Sequence, residues 1–494
     1  MKKTKPMHGS SKAKGCSHMS LGHFCELFGK DALPSWADEY GIKAQCEAEE
    51  VARLLGGVGG TMHDADNSSA DSGIPAGYTF FAQFIDHDIT LDTATKLHGG
   101  ELSGAEIGKL PNLRSASLDL DCVYGFGPDA SPFQYDSSQP GRMLVGSEVE
   151  GVENPLDLPR NSEGRALIGD PRNDENLFVS QLQLMFIRFH NRRLIGRSFE
   201  EAQRDVRYHY QYIVLNDYLE RICDDDIYNF ALPKIVENAR KDPKDRDYPF
   251  CNLLDHCGRI CMPVEFSVAA YRFGHTMVRS VYPVNEDHPA IELFDERFGT
   301  LGFGQVPPEL VVDWRYLLDV KHCFPYVKSK AIDHLLADEL IHLPDPVVGR
   351  NTIAHDRSLA FRNLLRGYVV GLACGQTVAK ALKDKGYPIN PNQDLKFDEI
   401  PGWHCLDAAG KKLAKHTPLF FYLMREAGVI NSGEKLGPVA SAILMEVFGT
   451  MLVSCDSYLK YKEHGHYWQP DPCVAHKDGE LTLRDLVYYV NSEA

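Results

Sequence analysis

The stretch Tyr78-Thr79-Phe80-Phe81-Ala82-Gln83-Phe84-Ile85-Asp86-His87-Asp88-Ile89-Thr90-Leu91-Asp92 sets a histidine between two aspartates inside a strongly apolar run. Gln83 and His87 are four residues apart, so on an α-helix they share a face. Asp86 lies one turn from Gln83, about 60° to its other side, and Asp88 points roughly 100° away from His87. One short helix can aim Gln83, Asp86 and His87 into a pocket while Asp88 binds something behind it. Phe81, Phe84 and Ile85 cover most of the remaining arc and would seat the helix in a core. A solvated polar face is the ordinary reading of such residues. The apolar flanks argue against it, because a buried acid–base–acid triplet is costly unless each group has a partner.

The surrounding chain has 494 residues, 43% hydrophobic and 24% charged, the profile of a globular protein. That length suits two to four average domains or one large core. A net charge of −17, from 69 acids against 52 Lys and Arg, argues against nucleic acid or an anionic membrane as partner. A carboxylate surplus is compatible with a bound divalent cation. Residues 1–20 carry five Lys without a following apolar run, so they read as a disordered basic start rather than a secretory leader. The longest apolar stretch, Pro438–Ser454, is interrupted by Glu446 and reads as a buried helix, not a membrane span. The thirteen Cys are scattered and odd in number, which predicts reduced thiols of a cytosolic protein rather than a disulfide framework. Cys251, His256, Cys257 and Cys261 cluster, but the absence of a C-x-x-C pair argues against zinc there.

No internal repeat is visible. Residues 36–55 read as a helix broken by the glycines of 56–60, and 128–164 as a long irregular loop. Phe178, Leu182, Met185, Phe186 and Phe189 form one stripe of a strong helix over 177–195. Further helices are expected at 200–223, 264–279, 328–340, 357–384, 416–427 and 438–460. Alternating strand patterns are scarce. The expected fold is mainly α: a single large helical domain over 36–465 with long loops and very little β, an extension at 1–35 and a tail at 466–494.

Three further clusters carry possible chemistry. Asp170-Pro171-Arg172-Asn173-Asp174-Glu175-Asn176 precedes the 177–195 helix, with Arg172 and Glu175 able to point one way. The plain alternative is an acidic helix cap. In Tyr271-Arg272-Phe273-Gly274-His275, the histidine falls on an apolar stripe with positions 264, 268, 271 and 278. It is either a core histidine or a metal ligand, and Gly274 beside it would let a flat ring approach. Ser115-Ala116-Ser117-Leu118-Asp119-Leu120-Asp121 alternates oxygen-bearing residues, which suits a hard cation or a hydrogen-bonded turn.

Taken together, Gln-x-x-Asp-His-Asp, Asp-x-Arg-x-x-Glu and Arg-x-Gly-His, in this order, resemble the animal-type haem peroxidases, the superfamily of myeloperoxidase, lactoperoxidase and the cyclooxygenases. The resemblance covers residues 70–460, and the compact, leaderless chain looks more like a bacterial member. It implies that His87 is the distal base, Arg172 the distal arginine and Gln83 the residue that organises water and small anions. It implies that His275 is the axial ligand of haem iron, with Asn363 hydrogen-bonded to its ring and Arg272 and Arg366 on the haem propionates. Asp86 and Glu175 match the carboxylates that become ester-linked to a haem b derivative. Asn176 stands where myeloperoxidase has a methionine, so a third link cannot form. Asp88 matches a Ca2+ ligand, and Ser115, Ser117, Asp119 and Asp121 align with the second calcium-binding stretch. Ser115 replaces the usual threonine and keeps its hydroxyl, and Asp121 adds a charge in place of a serine.

The activity so implied is reduction of hydrogen peroxide through a ferryl intermediate, with oxidation of small anions (iodide, bromide, thiocyanate) or phenolic donors. The alternatives are a fatty-acid dioxygenase of the same superfamily and an inactive calcium-binding or adhesion protein. The dioxygenases carry a tyrosine three residues before the axial histidine, where this chain has Arg272. Neither nucleic acid nor a membrane span is expected, and the location would be cytoplasmic or reached without a signal peptide.

Overall fold

The computed structural model describes residues 22–492, apart from 30–31, 147, 150–151, 154–155, 252, 256–257, 296–300, 321–323 and 477–478. The expected disordered start at 1–20, and His256 and Cys257, lie outside the described residues. The fold is mainly α, and the described strands are two to five residues long. At its centre runs the helix Pro438–Ser454, buried at every residue from Val439 to Val453. A helix apolar all round belongs inside a large core. Its one acid, Glu446, accepts hydrogen bonds from the Cys251 amide (2.8 Å) and the Tyr387 hydroxyl (2.6 Å). Burial pushes that carboxyl up to about 7. Gly449 lets the neighbouring segments close in: a Cβ there would lie 2.4 Å from the Tyr248 hydroxyl and 2.8 Å from Ile235 Cδ1. Among the described residues no helix is long and apolar enough to cross a membrane.

The helix Gly77–Ile89 carries the opening motif and packs on the helix Leu177–Arg193 through aromatic pairs. Phe84 stacks on Phe186 at 4.8 Å and Phe80 on Phe178 at 4.4 Å, and Tyr210 stands edge-on to both Phe84 and Phe186. Such pairs contribute about 0.5–1.5 kcal/mol each beyond the area they bury. Phe84 is fully buried. Phe84→Ala is therefore expected to cost about 3–5 kcal/mol, read as a lower denaturant midpoint at unchanged slope.

Several sequence expectations are corrected. Residues 36–55 form two helices, Trp36–Tyr40 and Gln45–Gly56, because Gly41 adopts the left-handed region (φ 74°) and stops the first. The 357–384 helix is likewise two, Leu359–Val369 and Gly375–Asp384, with Gly371 at φ 62° between them. Residues 264–279 are a π-helical turn, Glu265–Ala269, followed by a 3-10 segment, Ala270–His275. At 328–340 the apolar residues Ala331, Ile332, Leu335 and Leu336 imitate a helical stripe. The chain instead begins as a strand, Lys328–Lys330, antiparallel to Asp71–Pro75, and only Asp338–Ile341 is helical. The helices Asp225–Arg240 and Leu483–Asn491 were not anticipated.

Residues on both sides of 36–465 pack into the core. Gly22–Cys25 pairs with Pro111–Asn112 and with Met262–Pro263, burying Phe24, and Leu483, Leu486 and Val490 are buried in the final helix. The pairing with Met262–Pro263 also overturns the all-thiol expectation: with Cys25 opposite Pro263, Cys25 and Cys261 come to 5.8 Å between Cα atoms and form a disulfide.

Candidate haem and calcium sites

Gln83, Asp86 and His87 lie on the face of the Gly77–Ile89 helix that meets the turn Pro171–Asp174. His87 is buried, and its Nδ1 lies 2.7 Å from Asn173 Oδ1. Asn173 Nδ2 donates to Gln183 Oε1 (2.8 Å), and Gln183 Nε2 donates to the Cys122 carbonyl (3.4 Å). A backbone carbonyl only accepts, so this chain of amides fixes both side-chain orientations and leaves Asn173 Oδ1 as the acceptor. The proton of a neutral His87 is therefore on Nδ1, and Nε2 carries the lone pair. Burial, then the Arg172 charge, lowers the His87 pKa below its ordinary 6.5 and keeps the ring neutral. Nε2 lies 3.6 Å from Glu175 Oε1, beyond hydrogen-bond reach; that oxygen accepts from Gln83, and Asn176 Nδ2 donates to Gln83 Oε1 (3.0 Å).

Arg172 is pinned by its own turn. Its Nε and Nη2 donate to Asp170, and Nη2 also donates to the carbonyls of His87 (3.1 Å) and Thr90 (2.7 Å). Asp170 is fully buried and also pairs with Arg114 at 2.8 Å. Asp174 takes both Nη atoms of Arg160, at 2.7 and 2.8 Å. Gly302 closes the turn at φ +72°, where a Cβ would sit 2.2 Å from the Asp174 carbonyl. Asn173, Gln183, Arg160 and Gly302 escaped sequence reasoning. Only the spacing of Asn173 within the Asp-Pro-Arg-Asn run hinted at one of them.

The 3-10 segment Ala270–His275 packs against the same helix. Arg272 Nη1 lies 3.4 Å from Asp86 Oδ2. A Cβ on Gly274 would meet Ala82 Cβ at 3.9 Å and nothing else, so space is open beside His275. His275 is half-buried in this cleft, where desolvation, helped by Arg272, pushes its pKa down to about 3. The ring is neutral and fit to ligate a metal. Its Nδ1 meets the Asn363 amide at 2.9 Å. The contact joins Asn363 Nδ2 to Nδ1; were the amide turned by half so that Oδ1 accepts an Nδ1–H, Nε2 would be free to bond a metal. Desolvation raises the Asp86 carboxyl, but Arg272 and Arg172 more than offset it, so Asp86 is ionised. Arg366 pairs with Asp92. The larger described cavity, about 620 Å³ and lined by Tyr212, Asp217 and Arg221 among others, includes none of these residues. The donor set, not that cavity, identifies the site.

Behind the helix, Asp88, Asp119 and Asp121 bring carboxylate oxygens within 4.8 Å of one another. Asp88 is fully buried, and among the described residues no donor makes a well-formed hydrogen bond to either of its oxygens. The Leu120 amide and Cys122 thiol lie nearby without reaching that geometry. Desolvation, then repulsion from Asp119 and Asp121, pushes the Asp88 carboxyl well up. Ser115 and Ser117 hydroxyls both donate to Asp119 at 2.9 Å. Leu120 sits at φ 58°, a costly conformation for a leucine that turns Asp119 and Asp121 toward one point. A cluster whose buried member, Asp88, has no well-formed partner among the described residues fits a hard cation.

The assembled elements make a helical domain with two histidines on facing segments and an acidic cation cradle behind one of them. Residues 106–298 match the family model for animal haem peroxidase. A peroxidase-like protein of Margaritifera margaritifera is 29% identical over 196 residues, and the chorion peroxidase of Aedes aegypti 26% over 196. Each match covers 35% of this chain but only 22% and 23% of those relatives. Peroxidase A from Dictyostelium discoideum shares the fold with a TM-score of 0.52, at 14% identity, over 88% of this chain and 89% of that one. Oryza sativa fatty acid alpha-dioxygenase does so with a TM-score of 0.58, at 15% identity, over 95% and 80%. The class is therefore the haem-peroxidase fold. Residues 106–298 carry the animal haem peroxidase signature, and the chain as a whole shares the fold of haem-peroxidase relatives, a family whose members hold a haem group.

Proposed function

We propose that this protein is a peroxidase that reduces hydrogen peroxide and oxidises small anions such as iodide, bromide or thiocyanate, or phenols. The observation that carries this reading is the neutral His87 ring, locked by Asn173 with Nε2 bare, on the element facing His275. Haem held there would supply redox chemistry at iron. His275, steadied by Asn363, is the residue to hold that iron. His87 Nε2 accepts the proton of an incoming peroxide and returns it to the departing oxygen. Arg172, fixed by Asp170, stabilises negative charge as the O–O bond breaks. Gln83 positions water and small anions beside them. Arg272 and Arg366 are the donors suited to haem propionates, and Asp86 and Glu175 the carboxylates suited to ester links with the ring. Ca2+ held by Asp88, Asp119 and Asp121, with Ser115 and Ser117 beside them, would anchor the back of the helix and so position His87.

The purified protein should show a Soret band and turn over peroxide with iodide or a phenol. Oxygenation of linoleate without a reducing donor would instead establish the dioxygenase reading, which the likeness to the Oryza sativa enzyme supports. Against that reading, Tyr271 stacks on Phe266 at 4.8 Å and spends its hydroxyl on Tyr218 at 3.0 Å. Position 272 is an arginine bonded to the Ser267 carbonyl and Asp86. After peroxide treatment, acid–acetone should leave haem on the natural protein and extract it from a variant with Asp86→Asn and Glu175→Gln. Complete extraction from both would end the ester assignment. For calcium, Asp88→Asn should abolish bound calcium and lower the thermal midpoint, and chelation should do the same to the natural protein. An unchanged calcium content in Asp88→Asn would remove Asp88 from the ligand set.

A further inference from the structure

We infer that Glu39, Cys374 and His416 form a zinc site remote in sequence and function from the haem and calcium sites. Their ligand atoms, a carboxylate oxygen, Sγ and a ring nitrogen, lie within 4.8 Å of one another. Zinc bonds of about 2.0–2.3 Å in a tetrahedron space such atoms about 3.4–3.8 Å apart, so closing on the ion takes roughly 1 Å of side-chain adjustment. The combination of sulfur, nitrogen and oxygen suits Zn2+ and not Ca2+ or Mg2+, which take oxygen alone.

A second observation is independent of the clustering. His416 Nδ1 is shielded from solvent and has no hydrogen-bond partner among the described residues. A shielded, unpaired ring nitrogen is unfavourable unless something satisfies it. The backbone is also set in advance. The helix Trp36–Tyr40 brings Glu39 and is tied to both other ligand segments: Trp36 N donates to the Leu372 carbonyl (2.7 Å) and Trp36 Nε1 to the His416 carbonyl (2.8 Å). Cys374 caps the helix Gly375–Asp384 and bridges to Pro418, while Gly375 N donates to the Thr417 carbonyl at 3.0 Å. Gly375 permits this closeness, since a Cβ there would fall 1.9 Å from Tyr422 Cγ. The Glu39 carboxylate is oriented by the Thr377 hydroxyl (2.6 Å) and the Cys374 amide (3.2 Å), the outer hydrogen bonds a ligating carboxylate needs. Cys374 is buried, whereas Glu39 and His416 are half-buried, which leaves the fourth position for water.

A rival trio, His63, Asp338 and His342, clusters as closely but lacks this character. His63 Nδ1 accepts the Gly59 N–H at 2.9 Å, so the proton of the neutral ring sits on Nε2, 2.7 Å from Asp338. That nitrogen is a donor to a carboxylate, not a free ligand.

The test is equilibrium dialysis of the full-length haem-loaded protein against micromolar zinc in saturating calcium, with metal content and zinc-edge X-ray absorption as readouts. The expected result is about one zinc per chain with a single sulfur neighbour. Cys374→Ser and His416→Gln should each weaken binding tenfold or more, and the serine variant should lose the sulfur signal. His63→Gln should change nothing, and the Soret band should be the same in all variants. His416→Gln, at a half-buried position, keeps the test open if Cys374→Ser misfolds. A natural protein that takes up no zinc, or zinc bound without sulfur, or binding equally tight in His416→Gln, would overturn the assignment.

Discussion

A His87→Leu variant is expected to keep its Soret band and lose about 10²–10⁴-fold in the rate of reaction with peroxide, the range for a general acid–base group. On the proposed assignment the haem stays because His275, on another segment, would hold it. The rate falls because no other nitrogen is set to take the peroxide proton. The pH profile follows from the same ring. Burial and the Arg172 charge lower the pKa of His87 below 6.5, so it remains an acceptor down to a pH under that value and fails only as acid protonates it. The acid limb of the peroxide rate should lie below pH 6.5. Asn173→Asp offers an anion to Nδ1–H in place of a neutral oxygen, which favours the charged ring and should move the acid limb upward. A merely structural Asn173 would lower the rate without moving the limb. Stopped-flow peroxide rates across pH measure both, and wild-type rates in His87→Leu would remove His87 from the chemistry.

The second large effect concerns His275. His275→Ala should purify with little haem, and added imidazole should restore part of the Soret band by entering the space beside Gly274. Asn363→Leu should retain haem but shift its spectrum and potential, because the Asn363 amide is the described partner of His275 Nδ1. Haem content per chain and a spectrum with and without imidazole decide the matter. Full haem occupancy with an unshifted band in His275→Ala would mean that another residue is the axial ligand.

The candidate site residues stand out in the sequence because each motif is local. Gln83, Asp86, His87 and Asp88 share one helix, and helical spacing alone sorts them into a front face and a back. The Asp170-to-Glu175 run and the 272–275 run are equally compact, and the fold needed only to bring three short segments together. The residues that prepare them were not legible. Asn173 gains its meaning from Gln183, ten residues on, and Gln183 from a carbonyl at Cys122. No periodicity records a relation of that kind. The helix Asp225–Arg240 was missed with Pro233 in its interior, a residue that ordinarily breaks helices. The strand at 328–330 was missed because its identity comes from its partner, Asp71–Pro75, and not from its own residues. The Cys25–Cys261 pair spans 236 positions, and an odd count of cysteines gave no reason to join those two.

That crosslink closes a ring around most of the first half of the chain, including His87, Arg172 and the Asp88, Asp119 and Asp121 cluster, while His275 lies just outside it. Ring closure of this size removes roughly 5 kcal/mol of freedom from the unfolded ensemble. It also makes the protein tolerant of a cut. A protease that cuts once between Cys25 and Cys261 produces two polypeptides that still travel as one molecule, and in denaturant they separate only when a thiol reductant is added.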